Sequence, residues 1–448
     1  MRKLFGTDGI RGKANTYPMT VDIALKVGKA AGILFQNGSK KSKVVIGKDT
    51  RLSGYMIESA LAAGLLSMGL DVYFVGPMPT PAIAHLTKSF AADAGVIISA
   101  SHNPYQDNGI KFFDANGFKL PDEMEEKIEQ LALSDLNTDN ITGDDIGKAH
   151  RINDARGRYI EFAKSSINNL SLKGLKIILD CANGAAYHIT KYIFTELGAD
   201  VLVKNSSPDG KNINHRCGAL YPELLKEEVL LEHADLAIAL DGDADRVIML
   251  DEQGNVVDGD KMLGIAALEM IKAGKLKKNT LVVTEYSNLG LRETLEQAGG
   301  KVVLTKNGDR YVIEEMRRSN YNLGGEQSGH LIFLDHSTTG DGTISALQIL
   351  RIMKETGKKL SELTRSIKTY PQVLVNVEIR EKKPLEQMPL VCRKIKEIEQ
   401  KLGKDGRVFV RYSGTQNKLR LMLEGKIKEE LGFYAQQIAE EVKKEIGF

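Results

Sequence analysis

Cysteine is scarce in this chain, and its scarcity excludes several classes of protein. Among 448 residues there are only three cysteines, Cys181, Cys217 and Cys392, far apart and odd in number. They provide neither a disulfide framework nor a CxxC metal site, so a reducing, cytoplasmic environment is expected.

An excess of charge and a long apolar run are also missing. Lysine and arginine total 61 and aspartate and glutamate 59, which gives a net charge of +2. This balance excludes a globally basic nucleic-acid binder and an acidic disordered protein. The most apolar helical stretch, residues 57–70, is interrupted by polar side chains, whereas a membrane span needs about 18 apolar residues. Arg2 and Lys3 precede no apolar segment, so neither a signal peptide nor a membrane partner is expected.

What is present is an alternation of buried strands and amphipathic helices. Strand-like runs at residues 43–47, 71–75 and 94–98 accompany a helix at 57–68, and the pattern restarts near residues 175 and 280. Such alternation predicts an α/β fold with largely parallel sheets.

The pattern changes near residue 369, where alternating strands and charged helices indicate an α+β domain. A chain of this length forms about three or four domains. The boundaries that we predict are 1–150, 151–253, 254–368 and 369–448. The polar stretch 134–158 is predicted to be a linker between the first two.

A polar turn follows the strand at residues 94–98 and carries Ser101, His102 and, further on, Lys111. Ligands in open α/β sheets bind at the carboxyl ends of strands, so this turn is well placed for chemistry. Ser101 is a candidate nucleophile or phosphoryl carrier, although a structural turn would explain the same residues. A Ser-His-Asp hydrolase is disfavoured because no G-x-S-x-G motif accompanies the serine.

A second loop places Asp241, Asp243 and Asp245 between two apolar strands. Alternate carboxylates in a tight loop can converge on a hard cation such as Mg²⁺ or Ca²⁺. An EF-hand is excluded, because Arg246 occupies the position that needs glycine. The alternative is a solvated acidic hairpin, but three neighbouring aspartates repel one another unless a cation offsets them. The loop therefore predicts a metal site.

The glycine-rich segment 324–330 carries Glu326, Ser328 and His330, which can bind sugar hydroxyls or an amine. A glycine-rich turn without a ligand is the alternative.

A fourth loop contains Arg411, Ser413 and Thr415, a suitable set of donors for phosphate. A simple hairpin turn explains it equally. Arg11 and Arg51 lie beside glycine or hydroxyl residues, and surface salt bridges are the default expectation for both.

Together the four loops resemble those of the α-D-phosphohexomutase superfamily, in its order of phosphoserine, metal, sugar and phosphate loops. The resemblance extends from Phe5 into the C-terminal segment. It implies three similar α/β/α layered domains and a C-terminal α+β domain around a central cleft. It also implies an isomerase that works through a phosphoserine and a bisphosphorylated sugar.

Within the superfamily, the segments FGTDGIRG, GEQSGH and TTGDG resemble the branch that acts on glucosamine phosphates. The implied reaction interconverts glucosamine 6-phosphate and glucosamine 1-phosphate, towards UDP-N-acetylglucosamine and bacterial cell-wall precursors. The nearest alternative is a phosphoglucomutase or phosphomannomutase of broader sugar specificity. A metal-dependent phosphatase with Ser101 as nucleophile is an alternative from another class.

The resemblance implies a role for each candidate residue. Ser101 is implied to carry the phosphoryl group. One Mg²⁺ per subunit is implied to be bound by Asp241, Asp243 and Asp245 together with the phosphorylated Ser101. Acid–base catalysis is assigned to Lys111 and His330, support of the phosphoserine to His102, and charge stabilisation to Arg11 and Arg246. Sugar and phosphate binding fall to Glu326, Ser328, Arg411, Ser413 and Thr415. A hexose 1,6-bisphosphate is the implied activator, and a homodimer is left open.

One departure from the family pattern lies in the phosphate loop. Gln416 and Asn417 stand where an acidic residue and a proline are common. The arginine and hydroxyl donors remain, so phosphate binding is expected to survive.

Overall fold

The computed structural model describes residues 3–6, 8–36, 41–136, 141–412 and 417–447. The chain forms two compact units, one of Met1–Ser287 with Ala298–Ser366 and one of Asn288–Gln297 with Ile367–Phe448. Three β-sheets belong to the first unit and a three-stranded sheet to the second. The prediction of an α/β fold with a C-terminal α+β part is confirmed.

The first sheet has the strand order β1-β2-β6-β5-β3-β4-β7. Its strands are β1 Phe5–Gly6, β2 Gly9–Lys13, β3 Lys43–Lys48, β4 Asp71–Pro77, β5 Ala94–Ile98, β6 Asp107–Asp114 and β7 Ala149–Arg151. Its helices are α1 Val21–Phe35, α2 Ser53–Ser67, α3 Thr80–Ser89 and α4 Asp122–Ala132.

This first sheet is mixed, so the prediction of a largely parallel sheet is wrong here. Strand β3 runs parallel to β4 and β5, and β4 runs parallel to β7. Strands β5 and β6, by contrast, pair antiparallel, as do β2 and β6. The connection from β5 to β6 is a short turn, which allows only antiparallel pairing.

The predicted linker 134–158 also needs correction, because it contains β7. That strand extends the first sheet in register with β4, Val72 lying opposite Ala149. The strand is exposed or half-buried along its length. An edge strand of this kind has no apolar alternation, so the pattern that reveals buried strands is absent.

Helices α1 and α2, which accompany the first sheet, pack closely against each other at glycines. A β-carbon on Gly28 of α1 would lie 2.3 Å from the carbonyl oxygen of Leu61 in α2, and one on Gly64 would lie 2.4 Å from that of Leu25. Only glycine permits this approach.

The second sheet has the order β12-β11-β10-β8-β9, and the third has the order β14-β13-β15-β16. The strands of the second are β8 Lys176–Asp180, β9 Asp200–Lys204, β10 Leu236–Leu240, β11 Val247–Asp251 and β12 Val256–Val257. Those of the third are β13 Thr280–Thr284, β14 Lys301–Thr305, β15 Leu323–Gly325 and β16 Leu331–Phe333. The accompanying helices are α5 Ala155–Ser165, α6 Thr190–Glu196, α7 Lys226–Leu231, α8 Gly259–Lys272, α10 Asp309–Ser319, α11 Gly342–Thr356 and α12 Leu360–Thr364.

The second unit contains an antiparallel sheet of order β17-β19-β18. Its elements are β17 Gln372–Glu378, β18 Arg407–Tyr412, β19 Lys418–Glu424, α9 Leu289–Gln297, α13 Pro389–Leu402 and α14 Lys428–Ile446. Helix α9 precedes this sheet in the chain by some 75 residues but belongs to the same unit. Asn288, just before α9, donates from its side chain to the Tyr370 carbonyl at 2.9 Å.

Among the described residues, no helix is both long and apolar enough to cross a membrane.

Candidate active site

Ser101 lies in the turn that follows β5 and is held in a constrained conformation. Its φ of 53° is left-handed, which is uncommon for a residue other than glycine. Its backbone N–H donates to Ser99 Oγ at 2.9 Å, and its carbonyl accepts from Asn214 Nδ2 at 2.9 Å. Its hydroxyl donates to Asp241 Oδ2 at 2.8 Å. The turn therefore aims this side chain, 1 % exposed, at the acidic loop.

Arg51 anchors the same turn, so the expectation of a surface salt bridge is wrong for this residue. It is fully buried, and its Nε donates to Asp49 Oδ2 at 2.7 Å. Its guanidinium group also donates to the carbonyls of Ser101 at 2.9 Å and Asn103 at 2.8 Å, and to those of Pro104 and Asp107. The fork of donors on one planar group suits several carbonyls at once.

The acidic loop joins β10 to β11 and gathers three buried carboxylates. One oxygen from each of Asp241, Asp243 and Asp245 lies within 4.8 Å of the others. Burial and the charges of the other two raise the pKa of Asp241 well above its usual range. Within the described part of the chain, Asp243 Oδ1 and Asp245 Oδ1 are buried without a hydrogen-bond partner. Buried carboxylate oxygens that lack hydrogen bonds suit a hard divalent cation.

Lys111 on β6 connects this loop to the N-terminal strands. Its Nζ lies 3.2 Å from Asp243 Oδ2 and 3.0 Å from Asp8 Oδ2. Burial alone would lower the pKa of Lys111, but the carboxylates of Asp243 and Asp8 outweigh it and raise the pKa. The group is therefore a cation beside the acidic loop.

His102 contacts both Ser101 and Arg246. Its Nδ1 lies 3.2 Å from Arg246 Nη1 and 3.4 Å from Ser101 Oγ. Burial, with the charges of Arg246 and Arg11, lowers the pKa of His102 to about 4. Because arginine only donates, Nδ1 is the acceptor nitrogen. The Ser101 proton already goes to Asp241, so His102 is not its base, which disfavours a Ser-His-Asp hydrolase.

His330 follows the glycine-rich turn and lies between two carboxylates. Its Nδ1 is 3.6 Å from Asp245 Oδ1, and its Nε2 is 3.3 Å from Asp309 Oδ2. Burial alone would lower the pKa of His330, but these two carboxylates outweigh it and raise the pKa.

Glu326 in the same turn accepts from the Gly308 N–H at 3.2 Å and from Ser328 Oγ at 3.0 Å. The turn thus presents a carboxylate and an exposed hydroxyl beside the imidazole of His330.

A cavity of about 420 Å³ in the first unit is lined by part of this set, whereas its wall does not include Ser101, His102, Lys111, Asp241 and Asp243. That volume is within the usual range for small-molecule sites. The predicted residues in its wall are Arg11, Asp245, Arg246, Glu326 and His330. The wall carries five carboxylates and three guanidinium groups. Lys111 and Lys119 offset part of this negative charge, because they pair with Asp8 and Asp309.

The predicted phosphate loop lies in the second unit and is described only in part. Arg411 is on β18, directly opposite Arg420 of β19. Ser413 and Thr415 lie outside the described residues.

Several site residues were not predicted from the sequence. Lys119 Nζ donates to Asp8 Oδ1 at 2.6 Å and also bonds Asp309, and Thr80 Oγ1 donates to Asp243 Oδ2 at 2.6 Å. Asp8 lies in the FGTDGIRG segment, which could have indicated it. Lys119, Asp309 and Thr80 carry no motif signal.

Family models of phosphoglucomutase/phosphomannomutase match most of the chain. Alpha/beta/alpha domains I, II and III match residues 2–138, 157–254 and 258–370, and the C-terminal domain matches residues 374–441.

The chain is also similar to curated proteins along its whole length. It is 56% identical to the phosphoglucosamine mutase of Citrifermentans bemidjiense over 449 residues, covering 100% of this chain and 99% of that protein. It is 56% identical to the phosphoglucosamine mutase of Geobacter metallireducens, with 100% of both covered.

Solved structures share the fold at low sequence identity. A phosphoglucomutase/phosphomannomutase family protein from Burkholderia thailandensis has a TM-score of 0.79 at 22% identity, covering 100% of this chain and 99% of that one. Aspergillus fumigatus N-acetylphosphoglucosamine mutase, in complex with GlcNAc-6P and magnesium, has a TM-score of 0.68 at 20% identity, covering 98% and 95%. A serine-to-alanine variant of that enzyme, in complex with glucose 1,6-bisphosphate, has a TM-score of 0.66 at 19% identity, covering 100% and 96%.

Proposed function

Because the chain belongs to the phosphoglucosamine mutases of the phosphoglucomutase/phosphomannomutase family, we propose that it interconverts glucosamine 6-phosphate and glucosamine 1-phosphate through a phosphoserine at Ser101. It is an isomerase. The observation that carries the assignment to Ser101 is the 2.8 Å hydrogen bond from its hydroxyl to Asp241, a member of the acidic triad.

In one cycle Ser101 gives its phosphoryl group to the sugar and receives a different one from it. The 1-hydroxyl of glucosamine 6-phosphate attacks the phosphorus of phosphoserine, the bond to Ser101 Oγ breaks, and glucosamine 1,6-bisphosphate forms. This intermediate turns in the cavity. Ser101 Oγ then attacks the 6-phosphate, which regenerates phosphoserine and leaves glucosamine 1-phosphate. Such transfers depend on positioning and on neutralising charge more than on covalent help.

The acidic triad is suited to a metal, and we assign it one Mg²⁺ per subunit. Asp241, Asp243 and Asp245 would hold the ion, together with an oxygen of the phosphoserine. The ion supplies charge neutralisation at the transferring phosphoryl group. The magnesium reported for the Aspergillus fumigatus enzyme supports the choice of metal.

Lys111 and His330 are the proposed acid and base. In each half-reaction the attacking hydroxyl loses a proton and the departing oxygen gains one. A cation on the triad would offset the charge of Asp243 and Asp245, and it would thereby lower the pKa of both nitrogens. His102, with its neutral ring against Ser101 and Arg246, orients the phosphoserine.

Arg11 and Arg246 are placed to stabilise charge on the transferring oxygens, since both line the cavity. Glu326 and Ser328 would bind the sugar hydroxyls or its amine. Arg411, Ser413 and Thr415 would bind the phosphate that is not reacting.

The remaining parts of the proposal concern the cell and the assembly. A hexose 1,6-bisphosphate would activate the enzyme by phosphorylating Ser101, which the glucose 1,6-bisphosphate complex of the Aspergillus fumigatus variant supports. We propose a cytoplasmic location, in keeping with the few cysteines, and a homodimer. The product would supply UDP-N-acetylglucosamine and cell-wall precursors.

A substrate comparison tests the sugar specificity. The purified enzyme is assayed with Mg²⁺, glucose 1,6-bisphosphate and the 6-phosphates of glucosamine, glucose and mannose in turn. We expect kcat/KM to be highest for glucosamine 6-phosphate. Equal values for all three would contradict the amino-sugar assignment and favour a broad hexomutase. Net release of inorganic phosphate without 1-phosphate would favour a phosphatase.

A further inference from the structure

The segment 338–342, which has no part in the reaction above, packs against His330 on one side and bonds the metal loop on the other. We infer that Tyr159 and Asp341 form a buried clamp that holds this segment and so positions His330. Both are positioning residues, and their role rests on the proposed function of His330.

The clamp begins with a fully buried tyrosine on α5. The Tyr159 hydroxyl lies 3.0 Å from Asp341 Oδ1 and 2.9 Å from Oδ2. Asp341 is also the N-cap of α11 and accepts from the Ile344 N–H at 2.9 Å. A buried carboxylate is stable only while such donors satisfy it. Tyr159 therefore joins α5 to the start of α11.

The next step leads from Asp341 to the imidazole. A β-carbon on Gly340 would lie 2.4 Å from both Cε1 and Nε2 of His330, so the ring rests directly on this glycine. The Asp341 N–H donates to the carbonyl of Leu331 at 3.3 Å, the residue after His330. With Asp245 and Asp309 on its two nitrogens, the ring is confined by two carboxylates and by the backbone of residue 340.

The same segment also sets the position of the acidic loop. The Gly342 N–H donates to the Ala244 carbonyl at 3.0 Å, and a β-carbon on Gly342 would lie 2.6 Å from the Arg246 carbonyl oxygen. Displacement of residues 340–342 would consequently move His330 relative to the phosphoryl group. Small displacements of a catalytic group have large effects on rate, about 10²-fold for 1 Å.

The first variant is Tyr159→Phe, which removes only the hydroxyl. We expect kcat to fall about tenfold with KM changed less than twofold, because the groups that would bind the sugar are untouched. Tyr73→Phe is the matched control. Tyr73 lies on β4, its ring packs edge-on to that of Phe90, and it lies outside the cavity wall. The control is expected to keep its kcat.

Three variants act further along the clamp and do not depend on Tyr159→Phe folding well. Gly340→Ala should lower kcat by forcing the His330 ring away. Asp341→Asn, which keeps a cap acceptor and an acceptor for Tyr159, should recover much of the activity that Asp341→Ala loses. Equal kcat values for the Asn and Ala variants would overturn the clamp.

A double-mutant cycle with His330→Gln separates positioning from general stability. If Tyr159 acts through His330, Tyr159→Phe should lower kcat less than twofold in the His330→Gln background. A full tenfold loss in that background would overturn the inference and leave the role of His330 intact. A fully active His330→Gln enzyme would instead remove His330 from the proposed function, and the clamp with it.

Discussion

Arg51→Ala is the substitution whose cost can be worked out most fully. Arg51 is fully buried and pairs with Asp49 Oδ2 at 2.7 Å, while Ser101 and Asn103 are among the residues whose carbonyls accept from it. Removing one member of a buried ion pair costs about 3–5 kcal/mol. Each carbonyl left without a partner would add about 1–3 kcal/mol if the space stayed dry. Water entering the space left by the side chain reduces that addition, so we expect a loss of about 4 kcal/mol or more.

The effect should appear in two measurements on the same variant. Urea unfolding followed by circular dichroism should show the loss of free energy, a large part of the 5–15 kcal/mol typical of a folded protein. At low temperature, where the variant remains folded, kcat should fall because the Ser101 turn has lost its anchor. Arg51→Lys, which keeps the charge but not the fork of donors, should give an intermediate result.

Arg158→Ala is the control for this prediction. Its exposed pair with Asp154, at 2.8 Å, should contribute less than about 1 kcal/mol. Arg51→Ala would refute the reasoning if its free energy of unfolding stayed within about 1 kcal/mol of the unmodified protein and its kcat were unchanged.

Three further predictions concern the metal, the pH dependence and the contact between two loops. Mg²⁺ should raise the melting temperature of the unmodified protein but not that of Asp243→Ala, and equal shifts would exclude the triad as the site. His85 has its pKa lowered to about 4 by burial and by Lys88 and Arg158, so folding favours its neutral form. The contribution of His85 to the free energy of unfolding is therefore complete above pH 6.5 and is lost as pH falls towards 4, by ~1–2 kcal/mol after allowance for partial exposure. Urea unfolding at pH 7 and at pH 4.5 measures how much free energy of unfolding is lost between the two. That loss should be smaller for His85→Phe than for the unmodified protein, and an unchanged loss would contradict this. Gly242→Ala would place a β-carbon 2.7 Å from the Ser101 carbonyl oxygen and should lower kcat in the mutase assay. Gly157→Ala is the control, because Gly157 has open space around it, and it should keep its kcat. Equal kcat values for the two variants would contradict the close packing of the loops.

The sequence predicted the three loops of the first unit and the chemistry of their side chains. Ser101 and Asp241, 140 residues apart, are bonded, and Lys111 bonds Asp243 across 132 residues. These residues could be found because each loop carries several chemical groups at short spacing. The family resemblance then supplied the expectation that the loops share one site.

What the sequence did not predict depends on distant pairings of single residues. Lys119 pairs with Asp8 across 111 residues and with Asp309 across 190. A lone lysine or aspartate on a polar segment looks the same whether it is solvated or buried against a partner. Arg51 was expected at the surface for this reason, since only the fold brings the Ser101 turn over it.

The most direct test of the account is the intact mass of the enzyme before and after glucose 1,6-bisphosphate, with peptide mapping of the modified form. We predict a mass increase of one phosphoryl group that maps to Ser101 and rises in step with mutase activity. Ser101→Ala should show neither the increase nor the activity. An active enzyme that never carries phosphate on Ser101, or a Ser101→Ala variant with full mutase activity, would contradict the central claim.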